Sequence, residues 1–170
     1  MKIRTIALTT ALFACTATAS FAQGFSDKDK TFLKNATEDN LAEIKMAELT
    51  IKTTKNPALR TFAEKMVTDH KALIEGSKPV AMKAGVTPPT TTSAKAEAEY
   101  LKLKVLTGET FDKSYVKTMV ADHHEDLDKM KAENSATSNA DMKKLTAHAT
   151  QVIAMHTETI DSLAAKMGLK

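Results

Sequence analysis

The chain has 170 residues, with 24 basic and 21 acidic side chains, 42% hydrophobic and 5% aromatic residues, and a single cysteine. Charges of both signs are interspersed without a basic block, so the electrostatic footprint of a nucleic-acid-binding protein is absent. Beyond the first two dozen residues no segment is apolar enough to span a bilayer, and the length suits one domain with a single buried core.

The beginning of the chain reads as an export leader. Lys2 and Arg4 precede an apolar run from Thr5 to about Ala14, and Ser20-Phe21-Ala22 supplies small residues at the two positions a signal peptidase checks. This places a signal peptide at residues 1–22 and one helical-bundle domain at 23–170. The apolar run is too short for an uncleaved anchor. Taking Lys2 and Arg4 from the 24 basic residues leaves 22 against 21 acidic ones, so the mature chain is nearly neutral. Cys15 falls inside the leader, which excludes disulfides, thiolate metal sites and cysteine nucleophiles from the mature protein. Leu12-Phe13-Ala14-Cys15 offers a competing cut, a lipoprotein box that would make Cys15 a lipid-bearing first residue. Phe13 fits that box poorly, and Ser20-Phe21-Ala22 is the better site.

From Ser26 to about Thr54, Phe32, Leu33, Ala36, Leu41, Ile44, Ala47 and Ile51 step at threes and fours, the period of an amphipathic helix. Ser26 with Asp29 three residues on marks its start. Asn56-Pro57 opens a second helix carrying Leu59, Phe62, Met66, His70, Leu73 and Ile74. Gly76 to Pro79 predicts a break or kink there, and Gly85 a terminator. Val86 to Ser93, with two prolines and a run of threonines, reads as a linker. Ala94 to Leu106 is a short helix ended around Thr107-Gly108. A third main helix follows with Phe111, Tyr115, Met119, His123, Leu127 and Met130 on one stripe, then a turn over Asn134 to Asn139. The last helix, from about Ala140 to Met167, aligns Leu145, Ala149, Val152, His156, Ile160 and Leu163. No segment alternates as a strand would. The expected fold is all-α, an antiparallel four-helix bundle with a short extra helix between the second and third main helices.

One nine-residue pattern occurs twice. Phe62-Ala-Glu-Lys-Met-Val-Thr-Asp-His70 is written again as Tyr115-Val-Lys-Thr-Met-Val-Ala-Asp-His123, with the aromatic, Met, Val, Asp and His at the same offsets. Four- and eight-residue separations return to one helix face, so each copy aims a histidine inward. His156 does the same from the last helix, and Glu43 or Glu48 borders the stripe of the first. One carboxylate and three imidazoles at one height in a bundle would make a ligand set for zinc, copper or iron. Hydrogen-bonded core histidines without a metal are the competing reading. Asp69 and Asp122, each preceding a motif histidine, are either acceptors that orient a neighbouring ring or solvated partners of lysines. Met66, Met119 and Met155 stand close to the histidines in sequence, which raises copper(I), although methionine at helical spacing is ordinary core filler. His124 and His148 fall at the stripe edges. A conventional di-iron site needs two Glu-x-x-His motifs, and Val67, Val120 and Ile153 occupy the positions where the glutamates would stand, which disfavours a ferroxidase. No serine sits at a nucleophile elbow.

Asn40-Leu-Ala-Glu-Ile44, the two nine-residue segments, Phe111-Asp112 and His156 together resemble the bacterial exported family known as domain of unknown function 4142, a ferritin-like four-helix bundle. The resemblance runs from about Phe32 to Leu163. It implies Glu43 rather than Glu48 as the carboxylate, with His70, His123 rather than His124, and His156 rather than His148. It also implies a periplasmic protein; relatives bear the label outer membrane protein, and without a β-barrel that could only mean attachment. The expectation is an envelope protein with a metal site at Glu43, His70, His123 and His156, serving metal binding, buffering or a stress response. The alternative is a metal-free helical interaction module of the periplasm. A hydrolase or oxidase would further need an open coordination position and a substrate pocket. The sequence names no protein partner.

Overall fold

The computed structural model, which describes residues 24–169, has five helices among them, all but α4 opened by a side-chain cap: α1 (Asp27–Thr53), α2 (Pro57–Lys83), α3 (Ala94–Lys104), α4 (Gly108–Ala136) and α5 (Ala140–Lys166). No strand occurs among the described residues. The leader and Cys15 lie outside them. Ser26 closes a capping box on α1, its hydroxyl oxygen accepting the Asp29 N–H while the Asp29 carboxylate accepts the Ser26 N–H at 2.7 Å. Asn56 caps α2 by accepting from the amides of Ala58 and Leu59, and Asn139 caps α5 through Asp141 and Met142.

α2 departs from the sequence expectation. It does not break between Gly76 and Pro79 but continues to Lys83. Pro79 stands near the end of the helix, where its missing N–H removes one backbone bond, and the extra turn buries Ala81 against a cluster holding Leu33 and Met142. The chain turns at Gly85, the expected terminator, whose φ of 68° is the left-handed conformation glycine adopts readily. There the amides of Gly85 and Val86 bond to the carbonyls of Met82 and Ala81 at 3.1 and 2.9 Å, a Schellman closure with Val86 packed in Ala81's cluster. α4 also runs past the expected turn at Asn134. That side chain reaches from α4 to the Lys143 carbonyl and the Thr146 hydroxyl on α5 and so holds the last turn in place.

The topology follows from which residues share a core. Ala42, Met46 and Ala47 near the end of α1 pack with Leu59, Phe62 and Met66 from the start of α2, Phe111, Tyr115 and Met119 from the start of α4, and Ile160 and Leu163 from the end of α5. At the opposite end Leu33 meets Ala81 and Met142, and Leu73 meets Met130, Ala149 and Ile153. α1 packs on α2 and α4, and α5 packs on α4 and α2, so every neighbouring pair is antiparallel. α2 ends at one end of the bundle and α4 begins at the other. The connection between them must therefore climb roughly 40 Å, the length of a 27-residue helix. α3 makes part of that climb against α1 and α4, anchored by Leu103 in the first cluster and by a Lys45–Glu97 ion pair. This is a four-helix bundle with one long crossover. The buried face of α1 follows Ala42, Met46, Ala47 and Thr50, while Leu41 and Ile51 of the expected stripe are half-buried.

Candidate metal centre

Between the two apolar ends lies a polar layer to which each of the four long helices contributes. On α2, His70 falls between Met66 of one cluster and Leu73 of the other; on α4, His123 falls between Met119 and Met130; on α5, His156 falls between Ile160 and Ile153. Glu43 takes the corresponding place on α1. The apolar spacing that fixes the helix faces also fixes the height of these four residues. All are buried, with side-chain exposure of 0–1% for the histidines and 5% for Glu43.

Each imidazole is oriented by a bond at one of its nitrogens. His70 Nδ1 lies 2.7 Å from Asn40 Oδ1 and 2.9 Å from Glu43 Oε2, and the Asn40 amide is itself held by donating to the Ala36 carbonyl. His123 Nδ1 donates to the Met119 carbonyl one turn back at 3.0 Å, with Glu43 Oε1 at 3.3 Å. His156 Nε2 donates to Asp69 Oδ2 at 2.7 Å, and Asp69 also pairs with Lys65. A proton placed at these nitrogens leaves the other nitrogen of a neutral ring as the lone-pair donor. Those others, His70 Nε2, His123 Nε2 and His156 Nδ1, are buried without a hydrogen bond from the protein. One ring nitrogen from each histidine lies within 4.8 Å of those of the other two, and ring centroids are 5.2–5.9 Å apart. Phe62 stands over His123 and His156 at 6.3 and 6.2 Å.

The charges divide unevenly. Burial opposes ionisation of Glu43, but His70 and His123 outweigh it and hold the carboxyl down at about 2. Burial likewise disfavours charge on His70, yet the Glu43 carboxylate beside it carries that imidazole above its usual value. Burial wins at His123, which is lowered, and at His156, pushed down to about 4 despite its bond to Asp69. Glu43 and His70 thus form the ion pair of the layer, and His123 and His156 are neutral near pH 7, the form that binds metals.

The structure brings together Glu43, His70, His123 and His156. It turns Glu48 outward to Lys71 at 3.2 Å. Asp69 plays both roles expected of it, orienting His156 and pairing with a lysine. Met66 and Met119 pack in the apolar cluster, and Met155 is exposed. His124 pairs with Asp161 at the surface and His148 is exposed. Two contributors escaped the sequence reading: Asn40, which orients His70, and Asp126, a buried carboxyl that burial and then Glu43 raise to about 7. Their signal was spacing, since Asn40 precedes Glu43 by three residues and Asp126 follows His123 by three.

Two solved structures share the fold. A DUF305 fragment from Deinococcus radiodurans matches with a TM-score of 0.74 at 12% identity, over 85% of this chain and 99% of that one. CopM in the Cu(I)-bound form matches with a TM-score of 0.67 at 16% identity, over 81% of this chain and 96% of that one. No curated protein matches the chain. No helix among the described residues is long and apolar enough to cross a membrane. The sequence profile of the domain of unknown function DUF4142 matches residues 14–163, and the chain belongs to that family.

Proposed function

We propose that this is an exported metal-binding protein in which His70, His123 and His156 hold a transition-metal ion, with Glu43, set against the Nδ1 atoms of His70 and His123, as its counter-charge. One observation carries the reading: three imidazole nitrogens, each buried without a hydrogen bond, in a cluster of rings that brings ligand nitrogens within 4.8 Å of one another. An unsatisfied buried polar atom costs roughly 1–3 kcal/mol, and a core gains nothing from gathering three of them. Three nitrogens bonded to one ion at about 2 Å lie about 3.3–3.5 Å apart, so the rings need close by no more than about 1.5 Å. The alternative, a metal-free module whose histidines satisfy one another, meets the difficulty that their hydrogen bonds run to Asn40, Met119 and Asp69 instead.

Three imidazoles with a carboxylate and no thiolate suit zinc, copper and iron. The fold likeness to CopM, whose structure is Cu(I)-bound, makes copper the first cation to test. A bound ion would replace the proton on His70 and neutralise Glu43, while Asn40, the Met119 carbonyl and Asp69 keep the rings aimed inward. Binding or buffering of metal in the envelope, under metal stress, is the role this geometry serves. The leader at 1–22 and the thiol-free mature chain belong to the same reading, with attachment through Cys15 as its outer-membrane variant.

The test is to purify the untagged mature chain from the periplasm, measure its metal, and equilibrate it with Cu⁺, Cu²⁺, Zn²⁺ and Fe²⁺. One ion per chain is expected, lost in His70→Ala, His123→Ala and His156→Ala. A wild-type chain that stays metal-free with all four cations would refute the proposal.

A further inference from the structure

The histidine layer is sealed from solvent by four helices, yet one cleft reaches it. It opens between α1, α3 and α4, encloses a space of about 60 Å³, and is lined by Asp39, Glu99, Asp122, Glu125 and Asp126, with Glu43 of the buried layer among its walls. Lys95 and Lys129 are the cations on the same walls, so six carboxyl groups face two ammonium groups. Lys129 is already committed, lying 2.9 Å from Asp126, 3.0 Å from Glu125 and 3.4 Å from Asp39. Neither Glu99 nor Asp122 takes part in an ion pair among the described residues.

An acidic cleft by itself identifies nothing, because solvated carboxylates are common on helix surfaces. Glu43 separates this one from the rest. Its side chain is 5% exposed, and its Oε1 atom is buried without a hydrogen bond. Its partner at 3.3 Å, His123 Nδ1, donates instead to the Met119 carbonyl. A single carboxylate therefore belongs to the acidic cleft on one side and to the His70 and His123 imidazoles on the other. The position of α3 acquires a reason as well. The crossover from α2 to α4 could pass anywhere on the outside of the bundle, and it is laid so that Lys95, Ala96 and Glu99 form the third wall of this cleft.

We infer that the cleft between α1, α3 and α4 is the entrance by which a metal cation reaches the buried histidines, collected at its mouth by Glu99 and drawn inward by Glu43. The inference rests on the metal-binding reading and adds a route to it. A low-dielectric cleft lined by one sign of charge raises the local concentration of the opposite ion and its association rate by about 10- to 1,000-fold, an effect that fades with added salt. The cleft thus sets how fast the centre fills, and the centre sets how tightly the ion is held.

Stopped-flow loading separates the two. Metal-free wild type, Glu99→Gln, Lys95→Glu and Lys144→Glu are mixed with Zn²⁺, Cu²⁺, Fe²⁺ or Cu⁺ supplied as its acetonitrile complex, at low and high salt, and final stoichiometry is measured alongside the rate. Glu99→Gln is expected to load about threefold or more slowly at low salt. Lys95→Glu, on the same wall, should load correspondingly faster. Lys144→Glu, on α5 away from the cleft, should match wild type, and all differences should shrink at high salt. Lys95 and Glu99 are on the surface helix α3, and circular dichroism checks that each variant is folded. Should either variant misfold, the other still decides the sign. Equal loading rates for wild type, Glu99→Gln and Lys95→Glu, with full stoichiometry, would overturn the entrance and leave the centre standing. A wild type that binds none of the cations removes the centre and the entrance with it.

Discussion

His156 shows how burial, rather than charge, prepares a ligand. Its imidazole is held down to about 4 first by burial, the bond to Asp69 acting in the other direction, whereas an unfolded chain protonates the same ring near 6.5. The neutral ring therefore favours the folded state fully above about pH 6.5, and this contribution is lost as the pH falls toward 4. Asp122 and Asp126, both raised to about 7 by burial and Glu43, act oppositely over part of the same window, so wild-type stability alone would mix the effects. Comparison with His156→Gln isolates the ring. In urea unfolding of the metal-free proteins, the advantage of wild type over the variant should shrink by on the order of 2 kcal/mol between pH 8 and pH 4.5. An advantage independent of pH would show that the ring titrates as it does in water. At this scale the sequence was legible for the histidines, because inward spacing on an amphipathic helix points a side chain at the core. It did not separate Glu43 from Glu48, since both border the stripe of α1; the family resemblance chose between them, and the structure shows Glu48 half-buried and paired with Lys71. Asn40 and Asp126 were hidden because a polar residue at the edge of a stripe looks the same whether a neighbouring helix covers it or water does.

Helix starts were the most legible elements, because a cap is a local arrangement. Ser26 with Asp29, Asn56 with Pro57, and Asn139 each satisfy amides within three residues of themselves. The continuation of α2 through Pro79 was not legible, because it depends on Ala81 finding Leu33 and Met142 across the bundle. The two glycines flanking that last turn should respond oppositely to the same substitution. Gly85 has φ 68°, and an added Cβ there meets nothing within 4 Å, so Gly85→Ala suffers only the left-handed backbone penalty of roughly 1–2 kcal/mol. Gly76 lies inside α2 with equally open space around it, and Gly76→Ala should stabilise by about 0.5–1 kcal/mol through helix propensity. Thermal unfolding of the two variants would show Tm falling in the first and rising in the second. A rise in both would mean that the chain at Gly85 relaxes out of the left-handed turn.

Among the described residues the bundle has one apolar cluster at one end and two at the other, separated by a layer that a purely structural bundle would fill with leucine or isoleucine. Building the layer from an ion pair and two neutral imidazoles gives up hydrophobic contact and leaves nitrogens unsatisfied, so the metal-free protein should not be at its stability optimum. His123 tests this most cleanly. It is neutral, its bonded nitrogen serves a carbonyl of its own helix, and its other nitrogen has no hydrogen bond. His123→Leu replaces it with an apolar side chain of similar size facing Phe62. Without metal, the variant should unfold in urea within about 1 kcal/mol of wild type or above it, because the orphaned nitrogen is gone. With metal, wild type should gain about 2.7 kcal/mol when the free ion stands at a hundred times its dissociation constant, and the variant should gain little. The order of stability then reverses between the two conditions. If His123 were a structural residue, the metal-free variant would lose several kcal/mol, as a broken core does, and metal would move neither protein. The comparison thus distinguishes a core that tolerates its histidines from one that needs them, using the same folded chain in both states.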